Sequence, residues 1–230
     1  MSALFVALDV ESAEEAVRLA TLLSPHVEGF KVGLELLLGP GPAVIGAIRQ
    51  LGKPVFADAK LHDIPNTVER AARQLGRIGA RYVTVQASGG AAMLDAARQG
   101  LADGAAGNPA GVLAVTVLTS FDDAALGTVG VNGTVGKQVS RLAKLAAAQG
   151  AEGVVCSVRE LDVVRQVAPD LLRVTPGLRL DSEPDDQRRT ATPAEAARRG
   201  SDILVIGRPI TRARDPVQAV NEIRWPPDPD

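Results

Sequence analysis

Hydrophobic and polar positions along the chain repeat one unit. Short runs of apolar, largely β-branched residues recur about every 20–35 residues, with helical spacing in the segments between them. Eight such runs predict strands at 4–9, 29–34, 54–60, 82–87, 111–118, 153–158, 172–177 and 203–207. Most of them, including Tyr82-Val83-Thr84-Val85 and Ile203-Leu204-Val205-Ile206, are apolar almost throughout. That is the pattern of parallel strands covered on both faces. Between strands, Ala13, Ala16, Val17, Ala20 and Leu23 share one helical face, as do Val139, Leu142, Ala143 and Ala146. Eight βα units without a linker or a shift in composition predict one closed (β/α)8 TIM barrel, an α/β domain spanning 1–224, rather than an open doubly wound sheet. The proline-rich end Trp225-Pro226-Pro227-Asp228-Pro229-Asp230 cannot continue a helix and is expected to fray.

Composition narrows the function classes. With 230 residues and 46% hydrophobic content the chain can bury a large core. A formal charge of −2 offers no nucleic-acid surface, and 3% aromatics supply no base-stacking platform. The single Cys156 sits in an apolar run, so it reads as a small buried hydrophobe in a reducing compartment. The N-terminal apolar run is short and lacks a basic flank, and no stretch approaches the ~18 apolar residues of a membrane span. A cytoplasmic protein is expected.

In a barrel of this type chemistry gathers at the C-terminal ends of the strands. The polar residues there are Asp9, Lys31, Asp58, Lys60, Thr119, Arg179 and Arg208. Charges inside a barrel are costly unless paired, and the alternation Asp9, Lys31, Asp58, Lys60 supplies the pairing. The densest stretch is Asp58-Ala59-Lys60-Leu61-His62-Asp63-Ile64-Pro65-Asn66-Thr67, where an apolar strand meets a helix. Strand alternation places Asp58 and Lys60 on one face, while Asp63 lies past the strand end and is free to aim elsewhere.

A second constellation comes late in the chain. Thr175-Pro176-Gly177-Leu178-Arg179 ends strand 7 and Ile206-Gly207-Arg208-Pro209-Ile210-Thr211 ends strand 8. Glycine admits backbone N–H groups to an anion, and arginine supplies a fork matched to phosphate oxygens. After strands 7 and 8 of a barrel these features predict a phosphate site. The polar, aperiodic stretch from Leu180 to Thr190 between them reads as a lid, with Gln187 placed to close it on a bound phosphate. Metal is not expected, because His26 and His62 share no ligand spacing with another histidine or cysteine. A packing or hydrogen-bonding role is preferred for His62. Gly39-Pro40-Gly41-Pro42 fits no nucleotide-binding motif and reads as a turn before a helix.

Taken together, Ala7-Leu8-Asp9, Phe30-Lys31-Val32-Gly33, the decapeptide from Asp58 to Thr67, Thr116-Val117-Leu118-Thr119-Ser120, Thr175-Pro176-Gly177 and Ile206 to Thr211 resemble the orotidine 5′-phosphate decarboxylase family over nearly the whole chain. The resemblance implies cofactor-independent conversion of orotidine 5′-phosphate to UMP in pyrimidine biosynthesis. It implies that Asp9 and Lys31 hold the ribose hydroxyls and orient the charges, and that Asp58, Lys60 and Asp63 form the catalytic array with Lys60 as proton donor. Asp63 and Thr67 would come from the partner subunit of a homodimer. Ile64 would line the site, Thr119 would contact the pyrimidine, and Arg179, Gln187, Gly207 and Arg208 would surround the phosphate. Two other readings stand beside it. One is a magnesium-dependent sugar-phosphate decarboxylase or aldolase of the same barrel superfamily, in which an acidic ligand takes the place of Lys31. The other is a non-catalytic nucleotide-binding barrel, against which intact Lys60 and Asp63 argue.

Overall fold

A computed structural model describes residues 2–179 and 191–223. The elements follow in the order β1 (Ala3–Ala7), α1 (Ala13–Leu23), β2 (Gly29–Val32), α2 (Leu34–Leu38), α3 (Ala43–Arg49), β3 (Val55–Leu61), α4 (Pro65–Arg77), β4 (Tyr82–Gln86), α5 (Ala91–Ala105) and β5 (Gly111–Val115). They continue with α6 (Asp123–Thr128), α7 (Val135–Ala148), β6 (Gly153–Val155), α8 (Leu161–Val167), β7 (Leu172–Thr175), α9 (Pro193–Arg198), β8 (Ile203–Ile206), α10 (Arg208–Thr211) and α11 (Pro216–Glu222). All eight strands are parallel and close into a barrel in sequence order, with β8 pairing β1. The single-domain (β/α)8 expectation is met. The predicted strands overran the observed ones at most C-terminal ends, because the residues there turn out of the ladder to form the site. The end of the chain expected to fray lies outside the described residues.

Two cores hold the barrel. The larger lies between strands and helices and takes the predicted faces, including Ala16, Ala20 and Leu23 of α1 and Val139, Leu142, Ala143 and Ala146 of α7. Some strand-to-helix turns end in capping side chains, as where Ser12 accepts the Glu15 N–H at 3.1 Å to start α1. The smaller core fills the barrel itself and is built on Phe5, Phe56 and Tyr82, with Leu113, Val174, Ile203 and Val205 around them. These three aromatics are half of the six in the chain, concentrated where they plug the lumen. Phe5 and Tyr82 rings lie 6.1 Å apart and Phe56 meets Tyr82 edge-on. Gly29 makes room for the plug: a Cβ there would lie 2.5 Å from the Phe5 ring.

Backbone clearance also sets the position of α4, the helix that follows the decapeptide loop. A Cβ on Gly100 or Gly104 of α5 would run into the carbonyl oxygens of Glu69 and Arg73 on α4, and one on Gly76 would lie 2.7 Å from the Leu101 carbonyl. Glycine thus lets the two helix backbones touch. Gly104→Val is expected to lower stability in urea unfolding by at least about 1–3 kcal/mol. Gly136→Ala in α7, where an added Cβ meets nothing, should be neutral or gain a few tenths of a kcal/mol, roughly the helix-propensity difference.

Candidate active site

Successive side chains on a strand alternate between faces, and the residues two positions beyond the barrel plug form the next layer up. Asp9 follows Phe5 and Ala7, Lys31 follows Gly29, Asp58 follows Phe56, Thr84 follows Tyr82, and Gly207 follows Val205. This parity brings the charges into contact. Lys31 Nζ donates to Asp9 Oδ1 at 2.9 Å and lies 3.4 Å from Asp58 Oδ2. Lys60 Nζ donates to the same Asp58 Oδ2 at 2.7 Å. The expected row of alternating charges is therefore present as a chain of contacts.

Strict alternation fails at Lys60, however. Between the pairs Ala57↔Val83 and Leu61↔Val85, four steps on β3 span two on β4, so the strand bulges. Lys60 sits in this bulge at φ +45°, in the left-handed region that side chains with a Cβ rarely occupy. The bulge re-aims the side chain toward Asp58, and its backbone N–H donates to Thr84 Oγ1 at 2.9 Å instead of to a strand carbonyl. Thr84 Oγ1 in turn donates to Asp58 Oδ1 at 3.0 Å.

Burial orders the array by depth. The side chains of Lys31 and Asp58 are 11% and 13% exposed, Lys60 is 34% exposed and Asp9 45%. Burial alone would drive both deep groups toward neutrality. For Asp58 the Lys31 and Lys60 ammoniums outweigh it and hold the carboxyl below the usual aspartate value, and for Lys31 the Asp58 and Asp9 carboxylates outweigh it and hold the ammonium above the usual lysine value. Two glycines give the row clearance. A Cβ on Gly33 would lie 3.0 Å from both Asp9 Oδ1 and Lys31 Nζ, and one on Gly207 would lie 3.3 Å from Asp9 Oδ2.

Above the array is a cavity of about 270 Å³. Asp9, Lys31, Asp58 and Lys60 line one side, Arg179, Gly207 and Arg208 line another, and Thr119 also faces it. Phe56, Val155, Val174 and Val205 form an apolar floor. The two constellations read separately in the sequence thus face one space. Gly177, at φ +76°, turns the chain after β7, and Arg179 N donates to the Ala191 carbonyl at 3.0 Å, joining the two ends of the segment predicted to be a lid. Gln187 lies in that segment, outside the described residues.

Asp63, Ile64 and Thr67 are not among the cavity-lining residues of this chain. Asp63 Oδ1 accepts the N–H of Ile64 at 2.6 Å, and among the described residues no ion pair joins it to Lys60. The whole stretch from His62 to Thr67 is exposed, with Ile64 at 66%. His62 therefore takes no core packing role. Among the described residues no group of three His, Cys, Asp or Glu side chains is placed to hold a metal, and no helix is long and apolar enough to cross a membrane. Sequence reading missed Thr84, which it took as part of an apolar run. Its signal was a hydroxyl two residues past Tyr82, on the lumen parity.

Comparison with known proteins places the chain among relatives. The model of the family described as "Orotidine 5'-phosphate decarboxylase / HUMPS family" matches residues 2–223. A protein of Dichelobacter nodosus named orotidine 5′-phosphate decarboxylase is 50% identical over 224 residues, covering 96% of this chain and 97% of its own. A like-named protein of Paramagnetospirillum magneticum is 49% identical, with 96% of each chain covered. Among solved structures, orotidine 5′-phosphate decarboxylase from Lactobacillus acidophilus superposes with a TM-score of 0.83 at 38% identity, over 97% of both chains.

The coupled charges predict a pH dependence. Because the folded-state pKa of Asp58 lies below its ordinary value of 3.8, its contribution is complete above that pH and is lost as pH falls through the lower folded value. Because that of Lys31 lies above 10.5, its contribution is complete below that pH and is lost as pH rises through the higher folded value. The stability difference between the parent and Asp58→Asn, expected to be about 3–5 kcal/mol for a broken buried pair, should therefore stay level between about pH 4 and 10 and shrink below that window. Urea unfolding of both proteins across this range checks it. A difference that does not change on acidification would mean that Asp58 is not held as a carboxylate.

Proposed function

The chain belongs to the orotidine 5′-phosphate decarboxylase / HUMPS family and is a carboxy-lyase, and from that premise we propose that it converts orotidine 5′-phosphate to UMP without a cofactor. The observation that carries this reading is the position of Lys60. Its ammonium is the more exposed of the two bound to Asp58 Oδ2 and faces the cavity, while Lys31 lies deeper.

The chemistry explains why such an array is needed. Breaking the bond from C6 to the carboxyl carbon releases carbon dioxide and leaves the electron pair on C6, in the plane of the ring, where π delocalisation does not reach it. An ammonium at that carbon stabilises the developing charge and then transfers its proton to C6, and solvent restores the Lys60 proton. Asp58 beside the substrate carboxylate adds repulsion in the ground state, about 4 kcal/mol at ~4 Å and an effective dielectric near 20. Enzymes lower barriers by ~8–23 kcal/mol, so repulsion is the smaller contribution. Electrostatic stabilisation by Lys60 and binding energy from the remote phosphate supply the rest.

Arg179, Gly207 and Arg208 are proposed to receive the phosphate, with Gln187 closing over it, and Asp9 and Lys31 to hold the ribose. Thr119 is proposed to contact the pyrimidine. The site is proposed to be shared in a cytoplasmic homodimer, with Asp63 and Thr67 serving the partner's cavity. In support, the loop from His62 to Thr67 is exposed and carries an isoleucine, a surface suited to burial by a second copy. A magnesium-dependent reaction is disfavoured because the Lys31 ammonium already occupies the position between Asp9 and Asp58 that a divalent ion would need.

The direct test follows the loss of orotate absorbance on incubation with orotidine 5′-phosphate. Turnover is expected to persist in excess chelator and to fall at least about 10²–10⁴-fold in Lys60→Ala, with the fold retained by circular dichroism. No turnover by the parent, or near-parental turnover by Lys60→Ala, would overturn the reading.

The shared site is tested by mixing. Lys60→Ala and Asp63→Ala homodimers, each expected to be strongly impaired, should regain activity once subunits exchange, because one site of the heterodimer then combines an intact Lys60 with an intact Asp63. Confirmed exchange by mass without any recovery would place Asp63 in its own barrel.

A further inference from the structure

Thr84 is fully buried, on the strand beside the bulge, and its hydroxyl donates to Asp58. A hydroxyl has one proton to donate and two lone pairs to accept with. Because the Lys60 N–H occupies a lone pair at 2.9 Å, the Thr84 proton is directed to Asp58 Oδ1 at 3.0 Å. One hydroxyl therefore holds two things. It satisfies a backbone N–H that the bulge removes from the strand ladder, at the residue with φ +45°. It also anchors one oxygen of Asp58, leaving Oδ2 to meet both Lys60 at 2.7 Å and Lys31 at 3.4 Å.

We propose that Thr84 is a positioning residue for the decarboxylation, acting by fixing the Asp58 carboxylate plane and the backbone of Lys60 together. The inference rests on the function proposed above and deepens it. The torsion that rotates a carboxylate is broad, so salt bridges to flexible ammoniums alone leave Asp58 free to turn. The Thr84 bond removes that freedom. The same hydroxyl, accepting the Lys60 N–H, keeps that residue in a backbone conformation that would otherwise relax toward a regular strand, carrying its ammonium away from the reacting carbon. Small displacements of groups that must act in one geometry cost rate rather than binding.

Thr84→Val tests this, because it keeps the branched shape while removing donor and acceptor together. Its kcat for orotidine 5′-phosphate is expected to fall about 10- to 100-fold, with KM within about threefold of the parent. Affinity for UMP, which lacks the C6 carboxyl, should be unchanged, and Thr84→Ser should recover most of the lost rate. If Thr84→Val does not fold, Thr84→Cys takes its place: its weak donor should give a kcat below that of the serine variant and above that of Lys60→Ala. Parental kcat in the valine or cysteine variant overturns the proposal. So does a valine variant that loses UMP affinity as much as kcat, which would indicate packing alone. A parent enzyme that leaves orotidine 5′-phosphate unchanged would instead sink the reaction assigned above. Crystal structures of the parent and Thr84→Val then decide the role of Thr84: the proposal requires Lys60 to leave positive φ or the Asp58 carboxylate to rotate in the variant, and an unmoved pair refutes it.

Discussion

A charge taken into a barrel lumen loses its water, and Coulomb attraction has to offset that loss through neighbours of opposite sign. Asp9, Lys31, Asp58 and Lys60 meet this constraint as a row in which each carboxylate and each ammonium touches the opposite sign. Lys31 is the member on which the others depend. It is the deepest ammonium and the link between two carboxylates that would otherwise repel. The row stands on an apolar plug of Phe5, Phe56 and Tyr82. The glycines at 33 and 207 keep the backbone clear of the same groups. The mouth of the barrel is thus organised around electrostatic balance more than around shape.

That balance has a backbone cost. Regular alternation would place Lys60 on the face of Asp58, but the chain makes the contact through a bulge with the lysine at positive φ. Strain of this kind costs about 1–3 kcal/mol and persists where surroundings enforce it. The Thr84 hydroxyl, which accepts the Lys60 N–H, is one such restraint. The opposite wall of the cavity is chemically different, with arginines and glycines following β7 and β8. A site divided in this way suits a substrate gripped at one end and transformed at the other, so that binding energy from the grip lowers the barrier at the reacting atom.

Much of this was legible in the chain. The period-2 and period-3.6 patterns specified eight βα units, because burial on both faces of a parallel sheet leaves an apolar signature in every strand. Strand parity specified that Asp9, Lys31 and Asp58 share the lumen, and the strand order specified that Arg179 and Arg208 look into the same opening. What the tertiary structure decided concerns relations between strands. The bulge at Lys60 depends on the register of β3 against β4, which no pattern within β3 encodes. Thr84 gains its role only because that bulge faces it; within its own strand it is one β-branched residue among valines. That Asp63 turns its carboxylate to the Ile64 N–H, with no ion pair to Lys60 among the described residues, is likewise visible only in the tertiary structure. Local sequence determines which face a residue prefers, through burial and backbone sterics, whereas contact between two residues is set by packing partners far away in the chain.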